Sequence, residues 1–191
     1  MTLPRRAFVL GLFAAVASAP GDTMAEPATA PFAVQAEIIT RILPYDRGFW
    51  DKVTSHVSIV LLSKAGDAES ASAAHQMRKA LLDIGRVRER PIQVLGAEYS
   101  TPLELTALCR ERAINVVYVC PGLAKEVAAV RGALAGSGVL SVAAVEPYVA
   151  QGIVLGVDVA NGKPRMSINL AQARAQRVDF PSSILKLARI Y

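Results

Sequence analysis

The sequence predicts a single α/β domain with a mixed sheet, mainly parallel, that ends in a C-terminal antiparallel hairpin and carries helices on both faces. Short apolar runs alternate with longer amphipathic segments along most of the chain, which is typical of strands joined by helical crossovers. Those runs have no polar side, and a strand that is apolar on both faces belongs inside a sheet covered by helices. Beyond Gly152 the pattern changes to strict alternation around Asn161-Gly162, which predicts a hairpin closed by a tight turn.

The periodicity and the turn signals also predict the order of the elements. Thr101-Pro102-Leu103-Glu104 is a capping box with proline at the first helical position, so it marks the start of a helix. Helices are predicted over 33–43, 67–84, 101–112, 123–134, 171–176 and 182–190. Strands are predicted over 56–63, 91–99, 115–120 and 139–145, followed by two hairpin strands within 153–170.

The composition favours one folded core. With 191 residues, of which 52% are hydrophobic and 19% charged, the chain can bury a sizeable core without a metal or a disulfide. This excludes low-complexity disorder and a fibrous repeat. After the first 25 residues no apolar run approaches the roughly 20 residues needed to cross a bilayer, so we expect no membrane insertion of the mature chain.

Residues 1–25 have the pattern of an export signal peptide. Arg5 and Arg6 form its charged region, an apolar stretch follows over 7–19, and small residues before Glu26 predict cleavage after Ala25. The two arginines are compatible with a twin-arginine signal and equally with an ordinary secretory one. Both alternatives place the mature protein in the periplasm.

The mature chain is predicted to begin with a loose tether over 26–33, followed by the folded domain over 34–191. Cleavage removes two arginines and one aspartate and leaves a net charge of +4. The basic residues are scattered and no aromatic residues interleave with them, so they indicate a solvated surface rather than a nucleic-acid footprint.

The sequence contains no recognisable catalytic or metal-binding pattern. The two histidines, His56 and His75, lie in no recognisable motif, and the carboxylates are dispersed over separate elements. The chain has no nucleophile elbow, no glycine-rich phosphate loop and no zinc-ligand spacing. The sequence therefore predicts a protein that is not an enzyme, with no catalytic residue, no metal and no cofactor.

The two cysteines, Cys109 and Cys120, are predicted to remain unpaired. Cys109 falls on a helix and Cys120 at the end of the next strand, which puts their Cα atoms more than about 10 Å apart, beyond the reach of a disulfide. Both lie among apolar residues, so buried inert thiols are one interpretation. The other is that one of them becomes exposed when the protein changes shape and acts as a redox thiol.

The last forty residues carry the most specific motif. The stretches Gly152 to Gly156, Gly162 to Leu170 with its Ile-Asn-Leu end, and Ser183 to Arg189 with its Leu-x-Leu-Ala-Arg end resemble the C-terminal signature of the YfiR-like periplasmic family. The resemblance extends over residues 35–191. It implies a periplasmic α/β regulator in cyclic di-GMP signalling. Such a regulator binds and inhibits the periplasmic sensor domain of an inner-membrane diguanylate cyclase or a related signalling protein.

The sequence departs from that family in two places. Redox-regulated members carry four cysteines, whereas this chain has two that are unsuited to pairing. The first helix ends in Pro44-Tyr45-Asp46-Arg47, where many members have an aromatic-rich end. Whether the mature form is a monomer or a homodimer is left open.

Two surfaces are candidates for binding. Tyr45, Phe49 and Trp50 are aromatics in a polar setting, which is typical of a protein-docking site, although Phe49 and Trp50 could instead cap the core. The alternative function is a small-molecule binder with a site at the carboxyl ends of the parallel strands. That site would lie near Ser63-Lys64, Tyr99-Ser100 and Pro121-Gly122.

Overall fold

The computed structural model describes residues 28–191, so the predicted export signal lies outside the described residues. Its helices are α1 (Phe32–Ile42), α2 (Phe49–Lys52), α3 (Ala68–Ile84), α4 (Pro102–Glu111), α5 (Val127–Leu134), α6 (Pro147–Ala150), α7 (Leu170–Ala175) and α8 (Ser182–Leu185), with a 3-10 turn at Leu43–Tyr45. Its strands are β1 (Ala28–Thr29), β2 (Val57–Ser63), β3 (Arg86–Val87), β4 (Arg90–Glu98), β5 (Val116–Val119), β6 (Leu140–Ala143), β7 (Leu155–Ala160), β8 (Lys163–Ile168) and β9 (Ala188–Ile190).

One nine-stranded sheet contains all the strands, in the order β3-β4-β2-β5-β6-β7-β8-β9, with β1 attached to β7. The five strands β4, β2, β5, β6 and β7 are parallel to their neighbours in this series. β3 pairs antiparallel with β4, and β1 and β8 pair antiparallel with β7. This confirms the predicted mixed sheet with its C-terminal hairpin. In this part of the chain no helix is both long and apolar enough to cross a membrane.

Two apolar layers cover the sheet, one on each face. Alternate residues of β2 and β5 point into each layer, and the strand residues from Val57 to Leu62 are all buried. Helices α1, α3, α7 and α8 contribute to one layer, and α4, α5 and α6 to the other. The prediction of helices on both faces is therefore confirmed.

Local signals explain where several elements begin and turn. The Asp67 side chain accepts a hydrogen bond from the Ser70 N–H at 2.9 Å, which caps the start of α3. Thr101 caps α4 in the same way, accepting from the Glu104 N–H at 3.2 Å. The β7–β8 hairpin turns at Asn161, whose φ is 52°, and the following glycine, whose φ is 71°. Both values suit the tight turn that the sequence predicted.

The predicted C-terminal helix over 182–190 is wrong beyond its first turn. Helix α8 ends at Leu185, and Ala188–Ile190 form β9, which pairs parallel with β8. The helical spacing of the apolar residues is overridden because β8 offers an open edge of backbone hydrogen-bonding groups. The Tyr191 N–H continues this pairing by donating to the Ile168 carbonyl at 2.9 Å.

The segment predicted to be a loose tether contains β1. Ala28 and Thr29 pair antiparallel with Val159 and Asp158 of β7. The next residue, Ala30, is buried, and its carbonyl accepts a hydrogen bond from the side chain of Gln35.

A buried polar chain fixes the first helix to the centre of the sheet. Gln35 of α1 donates through Nε2 to the Ala30 carbonyl at 2.7 Å. Its Oε1 accepts from the Tyr118 hydroxyl of β5 at 2.8 Å. All the polar atoms of this contact lie in the core, where an unpaired group is costly.

We expect Tyr118→Phe to lower the free energy of unfolding by about 1–3 kcal/mol, because the buried Gln35 oxygen loses its donor. Urea unfolding followed by circular dichroism measures the change. Tyr45→Phe is the matched control, since Tyr45 is 50% exposed, and should leave the stability unchanged. Equal stabilities for wild type and Tyr118→Phe would contradict the assigned role of the bond.

Candidate functional site

The structure separates the three aromatics predicted to contact a partner. Phe49 is 3% exposed and belongs to the core, whereas Tyr45 is 50% exposed. Trp50 lies between these cases: it is half-buried and packs edge-to-face on Phe49, with ring centroids 5.1 Å apart. Tyr45 and Trp50 are therefore accessible to another molecule, whereas Phe49 is buried and packs against the Trp50 ring.

Trp50 also contacts the tip of the β3–β4 hairpin. The Arg88 guanidinium carbon lies 5.5 Å from the centroid of the Trp50 ring, a cation–π distance. A shallow pocket of about 250 Å³ lies beside this pair, bordered by Glu89 and Arg90.

A larger groove of about 650 Å³ adjoins the same surface. It runs between α1 and the C-terminal end of α3, and Tyr45 lies at its border. Its lining combines small apolar side chains with charges of both signs. The charged residues are Glu37, Arg41, Asp83, Arg86 and Arg88. Glu37 and Arg41 pair with each other at 2.6 Å on the surface of α1.

Asp46 fixes the position of the aromatic segment, here defined as residues 45–50. Its carboxylate is 3% exposed and accepts hydrogen bonds from the Lys52 ammonium at 3.1 Å and from the Asp179 N–H at 3.0 Å. Lys52 also donates to the Gly138 carbonyl at 2.9 Å. The neighbouring Arg47 pairs with the Asp179 side chain at 3.0 Å, so two consecutive residues hold the segment against the C-terminal part of the chain.

The sequence did not predict Asp46 as an anchor of this segment. A local signal was present, because an aspartate two residues before a glycine is typical of a turn, and the Gly48 N–H donates to Asp46 at 3.3 Å. The partner residue Asp179 lies 133 positions further along the chain, and no local pattern points to it.

The sequence predicted a ligand site at the carboxyl ends of the parallel strands. The structure brings two of the three predicted loops into contact there. The Lys64 ammonium donates to the Gly122 carbonyl at 3.2 Å, so the loops after β2 and β5 meet. A Cβ on Gly122 would lie 2.7 Å from the Asp67 carboxylate, which leaves no room there for a larger residue. Tyr99 borders a separate cavity of about 240 Å³, which Ser100 also lines.

Two tyrosines near these loops have hydroxyls that resist ionisation. Burial raises the pKa of Tyr99, and the negative charge of Glu126 raises it further. Burial also raises the pKa of Tyr148, partly offset by hydrogen bonds from backbone groups at Leu123 and Gly122. Both hydroxyls therefore remain protonated hydrogen-bonding groups at neutral pH.

Both cysteines are free and buried. They belong to opposite apolar layers, Cys109 on α4 and Cys120 after β5, so the sheet lies between them. Burial raises the pKa of Cys109 to about 11 and that of Cys120 to about 12. In the folded state neither thiol has the thiolate character that redox chemistry requires.

The histidines lie apart from both surfaces described above. His56 Nδ1 is within 2.8 Å of the Ser55 hydroxyl, and His75 is exposed on α3. Over residues 28–191, no group of three or more histidine, cysteine, aspartate or glutamate side chains is arranged to hold a metal ion.

The fold and these surfaces define a layered α/β domain that presents an anchored aromatic segment beside a groove. The chain belongs to the YfiR/HmsC-like family, whose sequence profile matches residues 32–189. The resemblance seen in the C-terminal motif is thereby confirmed. No curated protein sequence matches the chain significantly.

Solved structures with the same fold include proteins of quite different sequence. A conserved domain protein from Vibrio cholerae is 15% identical, with a TM-score of 0.58 over 85% of this chain and 60% of the other. An ABC domain in complex with L-Trp from Streptococcus pneumoniae is 14% identical, with a TM-score of 0.61 over 84% of this chain and 60% of the other.

A third structure, the ligand-free, open form of a substrate-binding protein with adhesive properties from Clostridium difficile, is 13% identical. Its TM-score is 0.56 over 81% of this chain and 57% of the other. This chain thus spans about 60% of the length of the structures that it matches. At these identities the likeness is one of fold.

We expect the free energy of unfolding to fall as the pH rises from about 9 towards 11. The usual thiol pKa is 9.0, whereas the folded protein keeps both thiols protonated to about 11 or 12. Between these values the unfolded state binds fewer protons than the folded state, so alkali favours unfolding. Urea titrations at pH 8 and pH 10.5 measure the effect, and Cys109→Ala/Cys120→Ala should reduce it.

The same thiols should react with a disulfide reagent at pH 8 only after denaturation. Native labelling of either cysteine as fast as in urea would show an accessible thiol and support the redox interpretation instead.

Proposed function

We propose that the protein is a periplasmic, non-catalytic regulator that binds the periplasmic sensor domain of an inner-membrane diguanylate cyclase and holds the cyclase inactive. The observation that carries the proposal is membership of the YfiR/HmsC-like family over residues 32–189. The anchored aromatic segment supports it, because this segment offers a suitable contact surface.

Inhibition of this kind requires no chemistry in the regulator. A protein that binds the inactive conformation of its partner more tightly than the active one shifts the equilibrium towards the inactive form. A difference of about 3 kcal/mol in binding free energy changes the population ratio more than a hundredfold. A few well-placed aromatic contacts can supply a difference of this size.

The aromatic segment has the properties of such a contact. Tyr45 exposes half of its surface, and Trp50 presents a half-buried ring flanked by Arg88. Asp46 already holds the backbone between them in place through its bonds to Lys52 and Asp179. Binding therefore requires little ordering of the segment, which lowers the entropic cost of association.

We expect Tyr45→Ala to weaken binding of the sensor domain at least about tenfold, because an exposed aromatic anchor is lost. Biolayer interferometry with the isolated periplasmic sensor domain of a diguanylate cyclase from the same organism measures the affinity. Leu103→Ala is the matched control, since Leu103 is 79% exposed on α4, which packs on the opposite face of the sheet from α1. Cyclase activity in membranes should recover in parallel with the loss of binding.

Trp50→Ala distinguishes a contact role for Trp50 from a role in the core. Lost binding with an unchanged melting temperature supports the contact role, whereas a fall of several degrees supports a role in the core. Wild-type affinity for both Tyr45→Ala and Trp50→Ala would contradict this docking surface, and no binding by the wild-type protein would contradict the proposed function itself.

A second candidate function is small-molecule binding at the carboxyl ends of the parallel strands. The observation that favours it is the meeting of the loops after β2 and β5, where the Lys64 ammonium donates to the Gly122 carbonyl. One solved protein of the same fold is described in complex with L-Trp, and another as a substrate-binding protein.

A thermal-shift screen that includes L-Trp distinguishes the two functions. A ligand present at a hundred times its Kd should stabilise a binder by about 2.7 kcal/mol, which raises the melting temperature by about 5–10 °C for a chain of this size. Lys64→Ala should abolish the shift and Lys125→Ala should not. A flat response to every ligand favours protein docking alone.

A further inference from the structure

The tip of the β3–β4 hairpin concentrates positive charge. Val87 pairs with Arg90, so the turn between the two strands consists of Arg88 and Glu89 alone. Arg86, Arg88 and Arg90 are exposed, whereas Val87 between them is buried. With three arginines and one glutamate, these five residues carry a net charge of +2.

The backbone of Arg88 has an unusual conformation for its residue type. Its φ is 49°, in the left-handed region that residues with a Cβ disfavour. In two-residue hairpin turns a positive φ is normally supplied by glycine, asparagine or aspartate. The β7–β8 turn follows this rule with Asn161 and Gly162. Folding alone therefore does not favour an arginine at position 88, and backbone strain of this kind is commonly found at functional sites.

No carboxylate of the described chain neutralises the three arginines. The ion pairs among residues 28–191 all involve other cations. Arg88 instead has an aromatic neighbour, since its guanidinium carbon lies 5.5 Å from the centroid of the Trp50 ring. A cation–π contact leaves the N–H groups of a guanidinium free to donate to an acceptor. Trp50 thus orients Arg88 without occupying its hydrogen-bond donors.

Arg88 lies between two concave surfaces. It lines the groove of about 650 Å³ together with Arg86, and the pocket of about 250 Å³ together with Arg90. Tyr45 belongs to the groove and Trp50 to the pocket. Each concavity therefore combines one aromatic ring with two arginines, and Arg88 is common to both.

We propose that this hairpin tip binds an acidic segment of the cyclase sensor domain, with one carboxylate between Arg86 and Arg88 and a second between Arg88 and Arg90. The inference rests on the proposed function and specifies the chemistry of the partner's surface. Guanidinium groups bind carboxylates through two parallel hydrogen bonds, which gives both strength and direction. Apolar side chains beside the two carboxylates would contact Tyr45 and Trp50.

The acidic residues around the tip favour a protein segment over an anionic membrane surface. Glu37 and Asp83 line the groove, and Glu89 follows Arg88 in the turn. A lipid surface of uniform negative charge would meet these carboxylates as well as the arginines. A folded partner can instead place its carboxylates opposite the arginines alone, so repulsion is avoided.

Biolayer interferometry with the isolated periplasmic sensor domain tests the proposal. Arg88→Gln removes the charge and keeps a flexible polar side chain. We expect it to weaken binding at least about tenfold, because charge-assisted hydrogen bonds to a carboxylate are lost. Arg110→Gln is the matched control and should bind like wild type. Arg110 is exposed on α4, which packs on the opposite face of the sheet from α1.

Arg88→Asn separates binding from folding. Asparagine adopts a positive φ more readily than arginine, so the melting temperature of this variant should be no lower than that of wild type. Its binding should nevertheless be weakened as in Arg88→Gln. A contact that matters only for the fold would lower both quantities together.

Salt and charge reversal provide independent measurements. Raising the NaCl concentration from about 50 mM to about 500 mM should weaken wild-type binding more than binding by Arg88→Gln. Arg88→Glu should abolish binding, and replacing single carboxylates of the sensor domain by lysine should restore it for at least one position.

Three results would overturn the inference. The first is equal affinity of Arg88→Gln and Arg110→Gln for the sensor domain. The second is a melting temperature of Arg88→Asn that falls by several degrees together with its binding. The third is binding of phosphatidylglycerol vesicles by wild type and not by Arg88→Gln, which would assign the arginines to a membrane surface. All three leave the proposed function intact if wild type binds the sensor domain, whereas no binding by wild type contradicts the function and the inference together.

Discussion

The burial of β2 and β5 on both faces is the constraint on which the rest of the structure depends. Strands without a polar side can exist in water only if helices cover each face, and the two apolar layers meet this need. Helix α1 lies in one of these layers, and its Gln35 is bonded to Tyr118 of β5. The aromatic segment lies just after α1 in the chain. Because the hydrogen bond from Tyr118 fixes α1 on the central strands, it also helps to fix the position of this segment.

In and around that segment, buried side chains lie close in sequence to exposed ones. Leu43 and Phe49 enter the core on either side of the turn, which leaves Tyr45 outside. The Asp46 carboxylate accepts hydrogen bonds from the Asp179 N–H and the Lys52 ammonium. Lys52 also donates to the Gly138 carbonyl. A surface loop held at so many points loses little conformational freedom when another molecule contacts it.

The sequence predicted the features that depend on local chemistry, such as the Thr101 cap and the Asn161-Gly162 turn. The features that it missed depend on distant partners. Ile184, Leu185 and Ala188 have helical spacing, but Ala188–Ile190 pair with the open edge of β8 and form β9. Gln35 is polar, and residues of this type usually lie on the surface. Here its side-chain amide is buried, because it donates to the Ala30 carbonyl and accepts from the Tyr118 hydroxyl. Aromatic type alone likewise could not separate buried Phe49 from exposed Tyr45.

The bond between Asp46 and Asp179 has a consequence for how the chain matures. Its two ends are 133 positions apart, so a ribosome must release nearly the whole polypeptide before the bond can form. Nascent chains that carry α1 and β2 but end before residue 179 would leave the Asp46 carboxylate without the Asp179 N–H. The aromatic segment would thus reach its final position only after nearly the whole chain has been synthesised.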